Sequence, residues 1–436
     1  MGDPLDDPLA YVRAVHFSAT ILATGTVIFQ VMVAGPAFAA AQLHDRDIEG
    51  LRRRWTILAW ASLAVAVVSS AIWLLLLAGD IYAAPLAEVW RDGGIWTVAT
   101  ATRFGQVSLA RLSAAALLAA SLPAFDRSTA RAAWRTGTVI LAMIVLIGPA
   151  WTGHAGATPG AAGELPLATD ALHLLAAGFW LGGLPPLAML LAAASQQKEP
   201  RWAAATAIAL QRFSILGMIS VGVLLASGIA NSWYEVETLD NLFTTTYGQL
   251  VLIKIALFAA MVALASVNRF YLMPRLATSG TVTRLCQTSL AETALGFAAI
   301  AVVGFLGAMA PASHIHRNDT NAIVPEGAAF VHIHSNIGMA DVTIMPGSVG
   351  TARLTVRLWN EEFQPLAAER LLVTLTPPGP AAKPFTRSAT KDQDGSWTVD
   401  AIKLPQPGKW TVAIDAALQS KGRLLLDAPI AIEPER

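Results

Sequence analysis

Eight separate stretches of this chain are long and apolar enough to cross a lipid bilayer, and they decide its solvent before any other feature does. They fall near residues 12–41, 56–78, 105–124, 136–152, 169–194, 206–231, 247–270 and 286–309. At about 1.5 Å of rise per residue, each can cross about 30 Å of hydrocarbon as a helix. Gly, Ser and Thr interrupt most of them, which favours close packing of helix against helix. The overall balance agrees: 54% of the 436 residues are hydrophobic and 14% are charged, which no ordinary soluble domain of this length shows. Lys plus Arg and Asp plus Glu each number 30, so there is no basic excess to recruit nucleic acid. The lipid bilayer is the first expected partner.

Orientation follows from the basic residues of the short connections. Arg46, Arg52, Arg53 and Arg54 follow the first stretch, and Arg127, Arg131 and Arg135 follow the third. Lys198, Arg201 and Arg212 flank the connection after the fifth, and Arg269, Arg275 and Arg284 flank the one after the seventh. These connections are expected to face the cytoplasm. The intervening ones, 153–168 and 232–246, carry no Lys or Arg, and 79–104 carries only Arg91 and Arg103. Both termini are therefore expected outside. The opening MGDPLDD is acidic where a signal peptide needs a basic start, so the first apolar helix is expected to act as its own address. The thirteen Trp residues are expected mostly at the membrane interfaces.

From Pro311 the pattern changes to period-two alternation, the mark of half-buried strands. Leu354, Val356 and Leu358 alternate with Arg353, Thr355 and Arg357, and Trp410, Val412 and Ile414 repeat the pattern. Asp392–Gly395 and Gln406–Gly408 supply turns. The fold class expected is an α-helical polytopic membrane bundle of eight transmembrane helices, residues 1–310, followed by a small all-β sandwich, residues 311–436.

The residues able to carry chemistry gather on the outer side of this topology. The lone Cys286 excludes an internal disulfide and a multi-cysteine metal cage, so a soft metal would have to use His and Met. All eight histidines except His44 fall outside or near the outer face. His16, His154 and His173 lie at one depth near the outer ends of helices one, four and five, where ionisable groups are costly and imidazole suits copper or zinc. Thr20 and Thr24 continue a polar stripe below His16. Asp170, one turn before His173, could orient that ring, join it as a ligand, or cap its helix. Met143, Met218 and Met261 fall near mid-membrane; they are candidate thioether ligands for Cu(I), or gap-filling core residues. Arg111 and Lys254 are buried charges on the outer half, each needing a carboxylate, a carbonyl or water, and Glu292 lies deeper on helix eight.

Beyond the helices, His314 with His316 and His332 with His334 form two His-x-His pairs. Residues two apart on a strand share a face, so each pair could chelate one ion. Met309, Met339 and Met345 are candidate supporting ligands. No phosphate-binding loop, dinucleotide fingerprint or nucleophile elbow appears in the helical part, and no enzyme activity is expected.

The helical part resembles the copper-resistance protein D (CopD-like) family. The resemblance is carried by TGHA at Thr152–Ala155, HLLAAGFWLGGLPPL at His173–Leu187, RFS at Arg212–Ser214, YGQLVLIK at Tyr247–Lys254 and NRFYLMPRL at Asn268–Leu276. The tail is similar to YtkA-like and CopC-like extracytoplasmic modules through GMADVTIMPGSVG at 338–350 and PGKWTVAID at 407–415. The resemblance implies copper as the ligand, residence in the bacterial inner membrane with the tail in the periplasm, and copper homeostasis by uptake from periplasm to cytoplasm. It implies His154 and His173 as site residues, Trp180, Gly182 and Gly183 as packing elements, and a periplasmic copper-binding protein as a partner. Two other expectations stand beside it: a membrane redox protein holding haem b between facing histidines, and a membrane-anchored copper chaperone or sensor.

Overall fold

The computed structural model describes residues 7–82, 85–125, 132–152, 161–236, 239–307, 309, 325, 327–334, 338–360, 364–378, 383–418 and 422–434. The chain separates into two compact units, Met1–Ile315 and His316–Arg436.

The first unit contains the eight expected membrane-length helices: α1 (Pro8–Ala40), α2 (Asp45–Tyr82), α3 (Arg103–Pro123), α4 (Ala133–Thr152), α5 (Glu164–Ala194), α6 (Pro200–Trp233), α7 (Thr246–Arg275) and α8 (Thr281–Leu306). Several start before their apolar stretch because the residues there favour a helix start. Asp7 caps α1 by accepting from the Leu9 amide at 2.8 Å, with Pro8 in the first turn. Asp45 and Asp47 place negative charge at the positive end of α2. Two short helices, Leu86–Arg91 and Gly94–Ala101, occupy the connection that hydropathy reads as a loop. Gly93, at φ 73°, makes the left-handed turn between them.

The tryptophans differ in how far the bundle covers them. Trp90 and Trp96, on those short helices, are largely exposed, whereas Trp55, Trp73, Trp180 and Trp202 are buried in the bundle. Trp55 can be there because its indole N–H finds the Pro186 carbonyl at 3.1 Å.

Helix α1 is the centre of the bundle: 72% of its most apolar stretch is buried, against 11% for α7. It crosses α5 at Gly25 and Gly182, where a Cβ on Gly25 would lie 2.4 Å from the Gly182 Cα, so only glycine permits the approach. His16 and His173 each precede their crossing glycine by nine residues, about 13 Å along helices that run in the same sense. The two histidines therefore share a depth. Two π-helical turns, Gln30–Ala34 in α1 and Asn268–Leu272 in α7, interrupt the regular ladder toward the opposite end. Near the first, Pro36 has no N–H to offer the carbonyl four residues earlier, Met32, and Arg212 of α6 donates to it at 2.9 Å.

The second unit consists of strands β1 (Ala329–His334), β2 (Met339–Met345), β3 (Gly350–Trp359), β4 (Ala368–Thr376), β5 (Phe385–Ser388), β6 (Thr390–Lys391), β7 (Trp397–Leu404), β8 (Gly408–Leu418) and β9 (Gly422–Ile432). They form two antiparallel sheets, ordered β1-β2-β3-β7-β6 and β5-β4-β8-β9. One core lies between the sheets, and Leu354, Val356, Leu358, Trp410, Val412 and Ile414 point into it as the alternation requires. The expected turns are present: the Gly395 amide closes on the Asp392 carbonyl, and Gly408 takes φ 128°.

Candidate functional site

Three polar centres stand out in the helical unit, two toward the amino-terminal end of the bundle and one toward the opposite end. The first surrounds His16, which is 2% exposed. Its Nδ1–H donates to the Ala66 carbonyl at 3.0 Å, with the Ser69 hydroxyl at 3.1 Å. That tautomer leaves Nε2 as an acceptor, and Arg111 Nη2 donates to it at 2.7 Å. Arg111 was expected to pair with a carboxylate, a carbonyl or water; its partner is this imidazole. The guanidinium stem lies across Gly148, where a Cβ would stand 2.4 Å from the Arg111 Cδ. The Trp73 ring packs edge-on 5.7 Å from the imidazole. Both ring nitrogens of His16 are therefore engaged, and a metal could reach Nε2 only by displacing Arg111.

The second centre surrounds His173 on α5, half-buried at the same depth. Ser227 of α6 donates its own proton to the Val223 carbonyl at 2.6 Å, so its oxygen accepts from His173 Nδ1–H at 2.8 Å. Nε2 of His173 is left with its lone pair, the form a metal requires. One turn away, Asp170 accepts from Asn231 Nδ2 at 2.6 Å. Because α5 begins well before it, Asp170 is an interior residue that ties α5 to α6, and the capping role is ruled out.

The third centre surrounds Glu292 on α8, which is 2% exposed. Asn268 Nδ2 donates to Glu292 Oε1 at 2.5 Å, and the Trp180 ring lines the same cavity as the carboxyl group. Asn268 Oδ1 in turn accepts from the Thr288 hydroxyl at 2.5 Å. Asn268 begins the π-helical turn of α7, a distortion that recurs at functional sites. Arg269, the next residue, donates to Ser214 Oγ of α6. Glu292, Asn268, Trp180, Arg269 and Ser214 border a cavity of about 200 Å³ between α5, α6, α7 and α8, into which Met218, Ser266 and Ser289 also face.

The remaining candidates are dispersed. Met143 and Met261 pack within apolar clusters, Met309 packs beside Tyr247 and Val251, and Met218 is 46% exposed beside the cavity. In the β unit His332 Nδ1 pairs with Asp341 Oδ1, whose Oδ2 accepts from Trp359 Nε1 at 2.7 Å. His334 stands opposite Met339 in the β1–β2 register; Met339 is core, while Met345 is 38% exposed. His154, His314 and His316 lie outside the described residues, as does the His334 side chain. Among the described residues no group of three or more His, Cys, Asp or Glu converges as a metal cage would. Sequence reasoning passed over Ser227, Asn268 and Thr288. An asparagine inside an apolar helix, within the NRFYLMPRL segment, was the available signal.

Residues 3–164 match the family described as "Copper resistance protein D-like, N-terminal domain", and residues 207–306 match "Copper resistance protein D". The chain is 33% identical to "Copper transport protein CutJ" of Bacillus subtilis (strain 168) over 165 residues, 38% of this chain and 29% of that protein. It is 28% identical to "Inner membrane protein YebZ" of Escherichia coli (strain K12) over 61% of this chain and 84% of that one. It is 27% identical to "Copper resistance protein D" of Pseudomonas syringae pv. tomato over 70% of this chain and 98% of that one. The chain spans less than a third of the Bacillus relative's length and nearly all of the Pseudomonas relative's.

Proposed function

The membrane part of this chain belongs to the copper resistance protein D family, and from that premise we propose that the protein carries copper inward across a bacterial inner membrane. The observation that carries the reading is His173, fixed by Ser227 in the tautomer whose Nε2 can bind a metal. The cavity between α5, α6, α7 and α8, lined by Met218 and Glu292, supplies a second station toward the opposite end. Thioether and carboxyl ligands there would hold copper weakly enough to release it, as successive sites in a conduction path must.

Orientation in this reading comes from the arginine-rich connections, which put the amino-terminal end of the bundle and the β unit in the periplasm. The β unit, with its His-x-His pairs and in concert with a periplasmic copper-binding protein, would receive the ion. His154 would join His173 as an entry ligand, whereas His16 would serve the bundle through Arg111. The chain acts here as a permease with no catalytic step. Haem ligation is less well supported: among the described membrane histidines only His173 offers a ring nitrogen that protein groups have not already taken.

Total cell copper tests the reading, measured by elemental mass spectrometry at matched membrane levels of protein. Wild type should raise it, His173→Ala should abolish the rise, and His16→Ala should retain part of it. Equal copper in wild-type and empty cells would overturn transport; equal copper in wild type and His173→Ala would overturn the entry site.

A further inference from the structure

We propose that the unsatisfied donors around Arg111 and His16 bind a small monovalent anion, with chloride as the simplest case, which balances the arginine charge inside the bundle. Arg111 is 7% exposed and lies eight residues into α3, about 12 Å from the helix end. A guanidinium has five N–H donors. In this structure His16 Nε2 is its one hydrogen-bond partner among the described residues, and that acceptor is neutral because the ring proton sits on Nδ1. No described carboxylate pairs with Arg111, and its Nε has no acceptor.

The deficit extends beyond this side chain. Trp73 Nε1, Arg13 Nε and Thr20 Oγ1 are likewise buried without partners. All belong to one neighbourhood: Arg13 and Thr20 flank His16 by about one turn each on α1, the Trp73 ring lies 5.7 Å from the imidazole, and the Arg13 guanidinium lies 5.2 Å from the Trp73 ring. Arginine and indole nitrogens only donate, so they cannot satisfy one another, and the Thr20 hydroxyl, the one acceptor in the set, takes none of their hydrogen bonds. What is missing is an acceptor. Water would accept two of these bonds and leave the charge uncompensated, and a metal cation would add to it. A small anion accepts from several donors at once and cancels the charge, which an intramembrane arginine otherwise holds at great cost.

The test uses the full chain, without copper, in nanodiscs of zwitterionic lipid, so that anionic headgroups cannot substitute. Chloride is titrated against gluconate at constant ionic strength, and both the unfolding midpoint and the ³⁵Cl NMR linewidth are read. Wild type should show a saturable rise in midpoint and an excess linewidth. Trp73→Phe, which keeps the ring and removes only the Nε1 donor, should weaken both, and Arg111→Gln should abolish both. Wild type that behaves alike in chloride and gluconate would overturn the proposal, with water filling the donors. So would full chloride dependence in Arg111→Gln. If that variant does not fold, an unchanged response in Trp73→Phe overturns the placement. None of these outcomes bears on copper transport.

Discussion

The contact between Arg111 and His16 depends on a residue that has no side chain. Gly148 leaves the room in which the Arg111 stem lies, and a methyl group there would overlap it. Gly148→Ala should therefore cost about 1–3 kcal/mol of stability, the usual range for overpacking, seen as a lower unfolding midpoint in nanodiscs. The cost should largely vanish when Arg111 is shortened to Ala in the same chain, because the two changes meet at one contact. Ser227 plays the corresponding part for His173. Ser227→Ala removes the acceptor that keeps the proton on Nδ1, so copper accumulation should fall several-fold without the complete loss expected of His173→Ala, as outer-shell changes at metal sites do. The histidines themselves were legible in the sequence because imidazole is conspicuous in an apolar helix. Their partners were not, since the His16 to Arg111 and His173 to Ser227 bonds join residues 95 and 54 positions apart and depend on which helix faces which.

At the level of elements, hydropathy found all eight spans, and strict alternation found the strands that build the β core. It could not find Leu86–Arg91 and Gly94–Ala101, whose apolar faces are too short to register as spans. Nor could it find the π-helical turns, which follow from local hydrogen-bond registry around Pro36 and Asn268. Helix α7 shows why that matters: its π turn carries Asn268 against Glu292, so Asn268→Leu should leave α7 in place yet reduce copper transfer, with His173-dependent copper binding intact by equilibrium dialysis. In the β unit, the strand pair β8–β9 carries a charge contact with a defined pH response. The Arg423 guanidinium, hydrogen-bonded to Asp415, holds that carboxyl below the usual aspartate range. Its contribution is complete above the unfolded value, about 3.9, and is lost as pH falls through the lower folded value. Asp415→Asn should accordingly flatten the acid limb of the β-unit unfolding curve; an unaltered limb would show that the pair contributes nothing there.

Across the whole molecule, the helices divide the work. Helices α1, α2, α3 and α4 enclose the His16 and Arg111 pair, whereas α5, α6, α7 and α8 supply His173 at one end and the Glu292 cavity at the other. The glycine crossing of α1 and α5 joins the two sets, and a Cβ on Gly182 would meet the Ile21 carbonyl at 2.3 Å. Gly182→Val should separate them, lowering both thermal stability and copper accumulation.

Helix α7 has a consequence for the surrounding lipid. With 11% of its apolar stretch buried, its tilt is set less by neighbouring helices than by the thickness of the bilayer around it. Yet it carries Lys254 toward one end and Asn268, bonded to Glu292, toward the other. A helix pivoting between those points moves its two ends in opposite directions, so under the proposed transport acyl-chain length becomes a control on copper flux. Reconstitution in a series of lipids of increasing chain length should give a flux that peaks at one thickness and declines on either side.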